Sequence, residues 1–90
     1  MAATIEVEKI TADEFKVRVI EGNSETSHCV TLKPADCQRI SGGRAEPDEL
    51  IRRSFEFLLQ REPKESILAR FDLTVISRYF PSYEREIRSL

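Results

Sequence analysis

The chain has 90 residues, one domain's worth, with a globular balance of 40% apolar and 33% charged residues. Its net charge of −2 excludes a whole-domain basic field for nucleic acid. Two cysteines exclude a disulfide framework, and no stretch approaches the ~20 apolar residues of a membrane helix. The opening residues lack the cationic start and apolar run of a secretory signal, so a reducing, cytoplasmic location is expected. Charge is uneven: residues 1–49 carry −4 and residues 50–90 carry +2.

The first third reads at period two. Thr4-Ile5-Glu6-Val7-Glu8-Lys9-Ile10 and Phe15-Lys16-Val17-Arg18-Val19 alternate polar and apolar residues. This puts Ile5 and Val7, then Phe15, Val17 and Val19, on one face of a sheet. Residues 11–14 form a hairpin connection, and 21–25 a second, with Gly22 and Asn23 available for positive φ. A third strand is expected over 26–32, with His28, Val30 and Leu32 on one face and Cys29 and Thr31 on the other. Short connections imply an antiparallel meander.

Pro34 starts a short helix over 34–41, stopped by Gly42-Gly43. Pro47 begins the clearest helix, with Asp48 and Glu49 in the first turn where the dipole favours them. Leu50, Ile51, Phe55, Leu58 and Leu59 form its apolar stripe, and Phe57 lies off that stripe. Pro63 blocks its continuation. Short helical pieces are expected after Pro63, over 73–79 with Asp72 as N-cap, and after Ser82. Strands first and helices second predict an α+β fold: a three-stranded antiparallel meander (1–33), then a helical part (34–90) with one main helix and several short ones on one sheet face.

No motif carries catalysis or cofactor binding. His28, Cys29 and Cys37 are the soft ligands, but adjacent strand residues face opposite ways, and a structural zinc site wants four ligands. A Cys–His nucleophilic pair fails on the same geometry for Cys29, and for Cys37 it lacks an orienting third group. Gly42-Gly43-Arg44 matches no phosphate-binding pattern. Asp13, Glu14, Asp48 and Glu49 sit where turns and helix starts favour carboxylates. No metal, cofactor or enzyme activity is expected.

Two surfaces merit attention. An exposed Phe57 beside Arg53 and Arg61 would mark a protein contact, because aromatics and arginine are enriched at interface centres. Residues 66–80 suggest a helix-turn-helix confined between Pro63 and Pro81, with Arg70, Arg78, Arg85 and Arg88 as phosphate contacts. The run Arg78-Tyr79-Phe80-Pro81-Ser82-Tyr83 is better read as Phe80 and one tyrosine closing the core.

The run from Ser54 to Leu68, with Phe71-Asp72-Leu73, Ile76 to Pro81 and the His28-Cys29-Val30-Thr31-Leu32 strand, resembles a family of uncharacterised bacterial proteins of about this length. The resemblance spans most of the chain and implies a free-standing small bacterial protein. It brings no activity, cofactor or site residue with it.

The expected role is therefore a non-enzymatic protein-interaction module. It would bind another protein, or a second copy as a homodimer, through a sheet edge or the Arg53/Phe57/Arg61 surface. The alternative is an antitoxin-like nucleic-acid regulator using the C-terminal arginines.

Overall fold

The computed structural model describes residues 3–89. Its sheet has four strands in the order β1-β2-β3-β4: β1 Thr4–Lys9, β2 Glu14–Glu21, β3 Ser24–Thr31 and β4 Arg70–Asp72. The first three form the antiparallel meander that the alternation predicts. The β2–β3 hairpin closes on the Glu21–Ser24 pair. Gly22 has φ of 59° while Asn23 stays at negative φ, the type II′ pattern with glycine first.

β4 corrects the expected three-stranded sheet. It lies parallel to β3, pairing Val30 with Phe71. Parallel strands need a long crossover, and helices α1 (Pro34–Ser41) and α2 (Pro47–Leu59) supply it. β4 also corrects the helix-turn-helix expectation. Residues expected to be helical after Pro63 form only a 3₁₀ turn at Lys64–Ser66, after which Ile67 is extended at φ −74°, ψ 135°. The Ala69 carbonyl accepts from Cys29 N–H at 2.7 Å, and the buried Phe71 fixes the register. A 3₁₀ turn at Leu73–Val75 and helix α3 (Ile76–Tyr79) follow, then α4 (Tyr83–Arg88). As expected, Asp72 caps its turn, accepting from Thr74 N–H at 2.9 Å.

The helices cover the face carrying Phe15, Val17, Val19, Val30 and Phe71. The opposite face, with Glu6, Lys16, Arg18 and Glu25, is open to solvent. Pro34 and Gly42 bound α1 as the sequence predicts; Gly42 sits at φ 66° and Gly43 N–H reaches the Gln38 carbonyl at 3.1 Å. The stripe of α2 is buried, Leu59 only partly. Phe57 is buried too, 4% exposed, because α4 and Phe80 cover the side of α2 turned away from the sheet. Its ring meets Phe80 at 5.7 Å and Tyr83 at 5.3 Å between centroids.

α1, α3 and α4 are joined at Glu84, whose carboxylate accepts from Arg39 at 2.8 Å and from Ser77 at 3.0 Å. The Arg39 guanidinium, and then Ser77, hold this carboxyl below its ordinary value of 4.5. A carboxyl lowered by folding stabilises above its unfolded value and loses that contribution as pH falls. We expect Glu84→Gln to cost about 1 kcal/mol near pH 7, after allowing for solvent screening of the half-exposed Arg39. Urea denaturation should show this difference shrinking progressively below pH 4.5; a difference that persists at pH 3 would refute the ion-pair account.

Candidate functional site

Three features of the folded chain present chemistry to a partner: a free sheet edge, an apolar groove and the arginines. The edge is β1. Among the described residues, β2 is its sole strand neighbour. The direction of its backbone groups follows from the register. Ile10 N–H donates to the Glu14 carbonyl at 2.8 Å, so Ile10 and Glu14 are in the hydrogen-bonded phase. Antiparallel pairs alternate, and the same phase therefore assigns Thr4, Glu6 and Glu8 to the bonds with β2. Ile5, Val7 and Lys9 aim their N–H and C=O groups outward. The side chains of Glu6 and Glu8 stand on the open face, and those of Ile5 and Val7 pack against the core. Helix α2 packs against β1 from the core side.

The groove, of about 390 Å³, lies between the end of α2 and the segment 62–80. Its walls include Leu58, Ile67, Phe71, Ile76 and Phe80. Leu68 and Tyr79, 48% and 67% exposed, stand at its rim. One carboxylate, Glu62, reaches it. The backbone of Leu68 is pinned from behind. His28, buried on β3, bonds the Leu68 carbonyl through Nδ1 at 2.8 Å and meets the Thr26 hydroxyl through Nε2 at 2.9 Å.

The Arg53/Phe57/Arg61 group does not form an exposed aromatic patch. Phe57 is enclosed by α4, and the Arg61 guanidinium carbon sits 3.6 Å from its ring centroid. Arg61 also donates to the Phe57 carbonyl and to Glu86. Arg53 pairs with Glu49 at 2.6 Å. The basic and aromatic residues are adjacent, as the helical spacing indicates, but Phe57 and Arg61 fasten α4 to α2, through Tyr83 and Glu86.

The four C-terminal arginines are divided between the sheet and the helices. Arg70 is on the open sheet face, since its neighbour Phe71 points into the core. Arg78 is on α3, while Arg85 and Arg88 are on α4 in the helical layer. Arg88 donates to the carbonyls of Ile40 and Arg39, closing the C-terminal end of α1. A basic side chain there also suits the negative end of the helix dipole. Of the two tyrosines, Tyr83 closes the core and Tyr79 is exposed.

Among the described residues no group of three His, Cys, Asp or Glu could hold a metal ion. His28 and Cys29 face opposite sides of the sheet, as the strand geometry requires. Cys29 is partly exposed on the open face, whereas Cys37 is buried on the inner side of α1 and burial pushes its thiol above the ordinary range. A thiolate reagent is expected to label Cys29 alone in the native protein and both cysteines in urea. Mass spectrometry reads the result; equal native labelling would contradict the placement of Cys37. No helix among the described residues is long and apolar enough to cross a membrane.

No family model, curated protein or solved structure matches this chain. A functional reading therefore rests on its own surface.

Proposed function

We propose that this protein is a non-enzymatic interaction module that accepts an extended segment of another polypeptide along β1. The carrying observation is the open edge itself: outward N–H and C=O groups at Ile5, Val7 and Lys9, on a strand backed by α2. Such a row is a template for strand addition, in which main-chain bonds give affinity and alternate side chains give specificity. Edges can be blunted by proline, by bulges or by brevity. β1 has none of these devices across its six residues, although it carries charge, and that charge selects among strands. The alternative of a nucleic-acid regulator needs a shared arginine track, and the positions of Arg70 and Arg88 do not support one.

Proline at Lys9 separates binding from folding. The Lys9 N–H points outward, so Lys9→Pro removes a donor to the partner and leaves the bonds to β2 in place. Proteins captured by the wild-type chain should be lost or weakened with Lys9→Pro, whose amide spectrum should stay folded. Partner binding should also slow hydrogen exchange at Ile5, Val7 and Lys9. A partner held equally by both chains, with those amides unprotected, would remove β1 from the interaction.

A further inference from the structure

On the open face, cross-strand neighbours alternate in sign. Arg18 stands between Glu25, at 2.8 Å, and Glu6, at 2.9 Å. One step along the strands, Lys16 is paired in register with Glu8. Both rows reach the free edge on a carboxylate. On the core face, Ile5 and Val7 extend the apolar rows of Val19 and Val17 toward the same edge. The surface offered to a fifth strand is therefore acid, apolar, acid in sequence, with the acids on one face and the apolar residue on the other.

Resting on the strand-addition reading above, we infer that β1 selects an extended segment of another protein in which two Lys or Arg residues flank an apolar one. The chain contains its own example of that complement. Glu6-Val7-Glu8 is already paired on its inner side with Lys16-Val17-Arg18 of β2, and the outer side repeats the demand. The hydrogen-bonding phase sharpens it. The outward bonds belong to Ile5, Val7 and Lys9, so Glu6 and Glu8 would stand in the non-hydrogen-bonded pairs, where facing side chains are closer. Opposite charges there stabilise and like charges destabilise.

The same rule argues against a second copy as the occupant. Two β1 strands meeting antiparallel about a two-fold axis, with their apolar faces aligned, have two registers of long overlap. One centres on Val7 and sets each Glu6 opposite a Glu8. The other centres on Glu6 and sets it opposite itself. Either places carboxylates directly across from each other.

The test is an amide-spectrum titration of the full isotope-labelled chain, at low salt, with two capped peptides at up to millimolar concentration. One carries the β2 sequence Phe15-Lys16-Val17-Arg18-Val19-Ile20, and the other has glutamate at both cationic positions. The basic peptide should shift and protect Ile5, Val7 and Lys9 and bind about tenfold more tightly, from two charge pairs. Glu8→Lys, on the exposed face, should weaken the basic peptide and strengthen the acidic one. Equal binding of both peptides at β1 would overturn the charge preference and leave strand addition standing. Failure of both peptides to reach β1 would overturn strand addition itself. Shifts of the β1 amides with protein concentration alone would identify a second copy as the occupant and overturn this inference.

Discussion

Replacing Tyr83 with alanine is expected to cost about 4 kcal/mol, a large part of the roughly 5–10 kcal/mol available to a domain this small. Tyr83 is fully buried, and its ring packs edge-on against Phe57. Its hydroxyl meets the Ser54 hydroxyl at 2.6 Å, and Ser54 reaches the Leu50 carbonyl at 2.7 Å. A carbonyl only accepts, so the Ser54 proton goes to Leu50 and Tyr83 donates to Ser54. That direction ranks the milder variants. Tyr83→Phe removes the donor and leaves Ser54 bonded to Leu50, for about 1 kcal/mol. Ser54→Ala strands a buried phenol, for about 2 kcal/mol. Urea unfolding midpoints should fall in the order wild type, Tyr83→Phe, Ser54→Ala, Tyr83→Ala. A Tyr83→Phe loss larger than that of Ser54→Ala would reverse the assigned donor.

The same burial sets the alkaline limit of the fold. Desolvation pushes the Tyr83 phenol well above the ordinary tyrosine value of 10.0. The neutral phenol is the form that the folded state prefers. Its contribution is thus complete below pH 10 and is lost as pH rises further. The absorbance of ionised Tyr83 should consequently appear only as the chain unfolds.

The meander was legible because one buried face imposes strict alternation, and a slip of one residue would put Val17 and Val19 in water. Helices α1 and α2 were legible from their prolines, from Gly42 and from the stripe of α2. β4 was not. Arg70-Phe71-Asp72 is a single alternation, and its partner lies some forty positions upstream; no local pattern specifies a pairing that only the crossover makes. Phe57 was misjudged for the same reason, since the layer that hides it is α4. The candidate site was half legible. The acids of β1 and the cations of β2 stand in the sequence as written, and their pairing follows from the hairpin. Which side of β1 stays open, and which residues aim bonds there, needed the strand order and the Ile10–Glu14 bond. The division of the four arginines between sheet and helices was not legible, because charge counted along a chain says nothing of faces.

His28 is where the sheet and the groove are joined, and His28→Leu is expected to cost about 3 kcal/mol. The ring is 4% exposed and sits 5.3 Å from Phe55 between centroids. Because the Leu68 carbonyl can only accept, the hydrogen-bond network assigns the proton of the neutral ring to Nδ1. Nε2 is then the acceptor for the Thr26 hydroxyl. Nitrogen chemical shifts of the imidazole should report that tautomer. Leucine fills the space but strands the Leu68 carbonyl and the Thr26 hydroxyl, each costing on the order of 1–2 kcal/mol. The damage should be local before it is global. Hydrogen exchange at Cys29, whose N–H bonds Ala69, should speed up more than exchange at Val17, because β4 and the Leu68 wall of the groove are released together. His28→Asn, which can keep a donor aimed at Leu68, should restore part of the loss. Uniform acceleration across the sheet, with no rescue by asparagine, would mean that His28 acts by volume alone. A graded, β4-centred response would instead show that the hydrogen bond from His28 sets where Leu68 stands.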